Sequence, residues 1–173
     1  TGAGTLTSGS GNEANIVIGF NGVPTIIDGI TLSMSVSTIY GGSVAPRADL
    51  DSTFVTIENL TLNTGTNIVA GSRHSDVGTT NIIVNNLTIT SGTASIYGGN
   101  LNTQDRHGTL KIVGDVTESN VTVSGGSMYA VFGGGAGDSK VTESNVNITG
   151  GTIARVFGGG NSGSEVQNTS VNV

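Results

Sequence analysis

The sequence predicts an all-β, right-handed parallel β-helix, or β-solenoid, with three short strands per coil and about five to six coils. Three observations predict it. Val, Ile, Thr, Ser, Asn and Gly dominate the chain; β-branched side chains suit a pleated surface, and Gly and Asn suit bends. No window places apolar residues at helical spacing for three turns. A unit closed by a cluster of glycines recurs along the chain, the signature of a repeat architecture.

The units can be taken in order. GITLSMSVSTIYGGS (29–43) is the earliest, followed by NLTLNTGTNIVAGS (59–72) and NLTITSGTASIYGGN (86–100). NVTVSGGSMYAVFGGG (120–135) and NVNITGGTIARVFGGG (145–160) come next, and TSVNV (169–173) opens another. VTESNV occurs twice, at 116–121 and at 141–146, with the same offset as the two units that contain it. The unit is about 25 to 34 residues, its length varying between the glycine corner and the next Asn. Each unit has an alternating run such as Val146-Asn147-Ile148, a Gly or Thr bend, and a second run ending VFGGG or IYGG. After a loop comes a third run, illustrated by Phe54-Val55-Thr56-Ile57 and Asn81-Ile82-Ile83-Val84.

Wrapping each unit once around an axis pairs equivalent strands in parallel, ~4.8 Å apart. Leu60, Leu87, Val121, Val146 and Val171 then form an inward column. Beside it stand Asn59, Asn86, Asn120 and Asn145, with Ser170 in line, as a ladder of buried amides exchanging hydrogen bonds between coils. The right hand follows from the general rule for parallel crossovers. Asn59, Asn86, Asn120 and Asn168 each begin an N-x-[ST] sequon, but three of them are ladder positions, which favours a structural role over glycosylation.

Composition excludes several function classes. A net charge of −6 with six basic residues in all cannot supply the clustered Lys and Arg of a nucleic-acid binder. No apolar run reaches membrane-spanning length, so no membrane insertion is expected. With no cysteine, disulfide scaffolds, zinc ribbons and thiol catalysis drop out. The glycine run at 158–163 matches G-x-G-x-x-G, yet a strand rather than a helix follows it, against a dinucleotide site. GGGAGDSK (133–140) lacks the Gly-Lys of a phosphate loop, and Asp138 is out of place for a calcium-binding nonapeptide. No cofactor is expected. Residues 1–173 read as a single solenoid domain, and its terminal segments, TGAGTLTSGSGNEAN and TSVNV, read as interior pieces. The expectation is a fragment of a longer protein whose neighbouring domains cap the solenoid ends.

The units of the form N-V-x-[IV]-x-G-G-[ST]-x…V-[FY]-G-G-G resemble repeats in large surface proteins of bacteria and of some gut archaea, usually called adhesin-like. The resemblance covers residues 29–173 and is clearest after Asn86. It implies an extracellular, cell-surface location and a non-enzymatic adhesin or stalk role, with a glycan or a cell-surface protein as partner. The same general fold serves pectate-lyase-like enzymes and phage tailspikes, so a polysaccharide lyase or hydrolase and a purely structural spacer stand as alternatives.

Solenoid loops gather along one edge. The variable loops 44–53, 72–80, 102–109 and 136–140 hold Arg47, Asp49, Asp51, Arg73, His74, Asp76, Asp105, Arg106, His107 and Asp138. Arg47, Arg73 and Arg106 precede Asn59, Asn86 and Asn120, the next ladder positions, by nearly equal stretches of chain, which would make them neighbours on successive coils. Such a row is either a solvated edge or a groove where guanidinium forks grip an acidic glycan. A metal bound by His74, His107, Asp76 and Asp105 has suitable ligand types but no spacing that demands it. For a lyase or hydrolase, Asp49, Asp51, Asp76 and Asp105 are the available carboxylates.

A second candidate is the aromatic column Tyr40, Tyr97, Phe132 and Phe157. Their neighbours Ile39, Ile68, Ile96, Val131 and Val156 face the core, so alternation turns the rings outward as a sugar-stacking strip. If the strand bends at the glycines instead, the rings stack inside.

Overall fold

The computed structural model describes residues 4–6, 14–19, 21–32, 36–44, 49–102 and 114–173. The chain forms a parallel β-solenoid of about five turns, with three sheets and no helix among the described residues. It begins with β1 (Gly4–Leu6) and β2 (Ala14–Val17). The next coils run β3 (Pro24–Ile27), β4 (Ile30–Leu32), β5 (Val36–Tyr40), then β6 (Leu50–Ile57), β7 (Leu60–Leu62), β8 (Thr66–Val69), then β9 (Val77–Val84), β10 (Leu87–Ile89), β11 (Ala94–Tyr97). The later coils have two named strands, β12 (Val116–Val123) with β13 (Ser127–Phe132) and β14 (Lys140–Ile148) with β15 (Thr152–Phe157), before β16 (Glu165–Asn172). One six-stranded sheet has the order β16-β14-β12-β9-β6-β3 and another β15-β13-β11-β8-β5-β2. The short sheet β1-β4-β7-β10 closes the third side and stops at β10.

Register fixes the coil lengths. Thr53, Thr80, Ser119, Ser144 and Thr169 occupy one column. The chain therefore advances by 27, then 39, then 25 and again 25 positions from coil to coil. The coil from Thr80 to Ser119 exceeds the expected range because Asn86 and Asn120 are not equivalent. Asn120 pairs with Asn81 and Asn145 in the long sheet, whereas Leu87, after Asn86, pairs with Leu60 in the short one. The inward column drawn from the sequence is therefore two columns: Leu60 and Leu87 on one side, and Val55, Ile82, Val121, Val146 and Val171 on another. In the later coils the first and third runs are one strand of eight or nine residues.

The amide ladder divides in the same way and lies at the surface. Asn86 Nδ2 donates to Asn59 Oδ1 (3.0 Å) and Asn59 Nδ2 to Asp28 Oδ1 (2.9 Å). Separately, Asn145 Nδ2 donates to Asn120 Oδ1 (3.0 Å) and Asn120 Nδ2 to Asn81 Oδ1 (3.3 Å). Asn59, Asn86 and Asn145 are not buried: Asn59 and Asn86 stand at the bends before β7 and β10, and Asn145 is on the outward side of β14.

The polar ladder that is buried is made of hydroxyls. Thr53 donates across the interior to Ala70 O (2.7 Å), Thr80 to Gly98 O (2.6 Å), Ser119 to Gly133 O (2.6 Å) and Ser144 to Gly158 O (2.9 Å). These acceptors are the first residues of the corners. A Cβ at Gly133 would meet the Ser144 hydroxyl and the Gly158 carbonyl, so the close approach explains the glycine. Ala70 holds the same place in its coil. Around this ladder the main core is aliphatic, with Ile39, Ile57, Ile68, Ile82, Ile96, Val121 and Val131 all buried. Each of these coils thus joins two kinds of tie: backbone hydrogen bonds along the axis, and one hydroxyl bond across it.

Candidate functional site

The segments that follow the glycine corners lie one above another on one edge. Gly42 N donates to Gly71 O (2.9 Å), Gly99 N to Gly134 O (3.1 Å) and Gly134 N to Gly159 O (3.1 Å). Further out, Leu101, Ala136 and Asn161 continue the stack as parallel bridges. Asp49, Arg73, His74 and Asp76 belong to this edge; Arg73 and His74 are half-buried, and the two aspartates are exposed. Arg73 N donates to Ser43 O of the coil below (2.8 Å). The buried amide of Asn100 holds the segment in place, accepting from Ser72 N (2.6 Å) and donating to Ser75 O (3.0 Å). Arg47, Asp105, Arg106 and His107 lie outside the described residues, and the proposed arginine row and His pair with them.

Two carboxylates considered for catalysis have structural partners. Asp76 Oδ1 accepts Asp115 N (2.8 Å), and Asp115 Oδ1 accepts Lys140 N (2.8 Å), so a carboxylate column steps up the entry to the long strands. Asp51 Oδ2 accepts from Asn21 Nδ2 (3.2 Å), while Asn21 Oδ1 accepts Asp51 N (2.7 Å) and Ser52 N (3.1 Å). At the far end of the column Lys140 Nζ and Glu165 Oε2 form an exposed ion pair at 3.6 Å. Among the described residues no three His, Asp or Glu side chains gather as metal ligands.

The outward aromatic strip is corrected. Tyr40, Tyr97 and Phe132 are 1%, 6% and 8% exposed. Alternation does hold, since Ile39, Ile68, Ile96 and Val131 belong to the main core and the rings to a separate cluster. The rings share that cluster with Leu101 and Ala136, and Val44 packs against it. The chain leaving the corners at Gly41, Gly98 and Gly133 folds back over the sheet, so that Val44, Leu101 and Ala136 cover its outer side. Tyr97 and Phe132 stack at 4.9 Å, and Phe132 and Phe157 at 4.8 Å, with their ring planes nearly parallel. Phe157 is 42% exposed, being on β15, the outermost strand of its sheet. Burial holds the Tyr40 phenol above the ordinary tyrosine value of 10.0, against the opposing influence of the Thr38 hydroxyl and the Arg73 charge.

The sequence pattern gives no sign that one tyrosine within the stack, Tyr129, is exposed. Strict alternation back from Val131 turns Tyr129 inward and Met128 outward, yet Met128 lies in the main core and Tyr129 is 40% exposed, while Ala130 keeps to the side of the rings. The cause is a change in coil size. Between the registers Val84↔Val123 and Ser95↔Ala130, the lower coil spends residues 85–94 and the upper only 124–129. The shorter path turns at Gly126, whose φ of 94° favours glycine and where a Cβ would meet the backbone of Leu87. The longer coil below consequently projects as a ledge. Residues 89–93 form its floor, residues 127–129 and 152–154 the wall above, and the groove between them has a volume of about 510 Å³. The Arg155 guanidinium lies over the Tyr129 ring, 4.8 Å from its centroid.

No protein-family profile, curated protein or solved structure matches the chain.

Proposed function

We propose that the chain is a non-enzymatic cell-surface module, an adhesin or stalk segment whose loop edge contacts a glycan or a cell-surface protein. One observation carries this reading: the segments after successive glycine corners are in register on one edge, so side chains from several coils line up as a single extended surface. Arg73 and His74 stand on that edge on a segment held by Asn100, where a guanidinium suits an acidic group of a polymer. The adhesin-like repeats that the sequence resembles support the same reading, and with it an extracellular location and neighbouring domains at the solenoid ends. The engagement of Asp51 and Asp76 by amide and backbone N–H groups gives those two carboxylates a structural use, which favours binding over hydrolysis.

The test is a glycan and polysaccharide array probed with the chain beside an Arg73→Ala/Arg106→Ala variant, with any bound polysaccharide then incubated and sized. Binding without cleavage that the double variant weakens at least tenfold is the expected result. Equal binding by both proteins would remove the loop edge from the reading, cleavage would make the chain an enzyme, and silence would leave a structural spacer.

A further inference from the structure

We infer that the ledge groove beneath Tyr129 is a saccharide-binding site, separate from the loop edge. A sugar ring has apolar C–H faces and a rim of hydroxyls, and a site for it needs an apolar or aromatic surface with hydrogen-bonding groups at its border. The groove has both. Ile89 and Ile153 supply apolar surface, the Tyr129 ring stands half exposed beside them, and Thr90, Ser127 and Thr152 border the space with hydroxyls. Arg155 fixes the ring from one side and adds donors that suit sugar hydroxyls or carboxylates. The volume of about 510 Å³ falls within the roughly 300–1,000 Å³ of small-ligand sites.

An added peptide strand fits the groove less well. Sheet edges recruit peptides through free backbone groups, and β10, at the edge of the short sheet, has only three residues. The upper coil already crosses its start, with Gly126 lying against the Leu87 backbone. What the ledge presents is side-chain hydroxyl and ring rather than strand edge.

The protein carries its own reporter. It has three tyrosines and no tryptophan, and of these Tyr40 and Tyr97 are buried, so quenching of intrinsic fluorescence by acrylamide reads Tyr129. The experiment follows that quenching, and mobility in gels containing yeast mannan, β-1,3-glucan, polygalacturonate or chondroitin sulfate. It compares wild type, Tyr129→Ala, Arg73→Ala/Arg106→Ala and the triple variant. The expected result is that at least one polysaccharide retards the Arg73→Ala/Arg106→Ala protein and shields its exposed tyrosine. Removing Tyr129 should then weaken retardation about tenfold, the upper end of what one stacked ring supplies. Retardation with Tyr129 still fully quenchable and Tyr129→Ala unaffected would overturn the groove while leaving a loop-edge adhesin intact. No retardation of any protein by any of the four would overturn the groove as well. Failure of the loop-edge reading shows differently, as equal retardation of wild type and Arg73→Ala/Arg106→Ala.

Discussion

Thr80→Val isolates the hydroxyl ladder. The substitution keeps the branched shape of the side chain and deletes only the O–H, which donates to Gly98 O at 2.6 Å inside the core. At this corner the backbone ladder uses the neighbouring carbonyl, Tyr97 O, which accepts from Ala70 N, while Gly98 O turns inward to the hydroxyl. Valine therefore strands a buried acceptor, at a cost of about 1–3 kcal/mol. Thr80→Ser provides the contrast. It retains the donor and loses one methyl group, about 0.8 kcal/mol, and serine already stands in the same column at Ser119 and Ser144. Urea titration followed by far-UV circular dichroism measures both, and melting should fall by about 2–4 °C per kcal/mol for a chain of this size. The expected order of stability is wild type, then Ser, then Val. A Val variant as stable as wild type, or more stable than Ser, would refute the ladder as a stabilising element.

Other predictions concern the corners, the phenol and the carboxylate column. Gly126→Ala should cost at least about 1–2 kcal/mol, because a side chain is strained at φ 94° and meets the Leu87 backbone. Gly159→Ala, where nothing lies within 4 Å of the new Cβ, should stay within about 0.5 kcal/mol of wild type in the same urea titration. Tyr40 has its phenol raised above 10.0 by burial, so its contribution is fully present below pH 10.0 and is lost as pH climbs through the raised value. Melting scans from pH 8 to 12 should show a smaller alkaline loss in Tyr40→Phe than in wild type. Asp76→Ala removes the acceptor of Asp115 N at an exposed position and should cost about 0.5–1.5 kcal/mol; a larger loss would mean that the column bears more of the fold than this geometry gives it.

The glycine corners and the parallel stacking were legible because they recur at a fixed place, and because a chain of alternating β-branched runs has few other ways to bury them. The register was less so. Asn59-Leu60-Thr61 and Asn120-Val121-Thr122 read alike, yet one opens a strand of the short sheet and the other lies within a long strand. The better guide was the hydroxyl at Thr53, Thr80, Ser119 and Ser144, which precedes its corner by 17, 18, 14 and 14 residues. The drop by four marks where a side of the coil is cut short. Alternation correctly separated Tyr97 from Ile96, but whether an outward ring meets water depends on the segment after the corner, and that is a tertiary fact. Tyr129 escaped for a local reason: alternation fails where the path shortens, next to Ala130.

That shortening also makes the solenoid a tapered rod. Three sheets wall its wide end, whereas only the two long sheets reach its narrow end, so the two directions along the axis are not interchangeable. A further narrow coil placed against β15 and β16 would keep both long sheets paired. Such a coil would repeat the 25-residue step of the last two, with a small hydroxyl residue over Thr169 and an aromatic ring over Phe157. A coil of the wider kind seated there would overhang its neighbour and leave its short strand without a partner. The taper thus gives the rod a polarity, with a step in its cross-section where β10 has no successor.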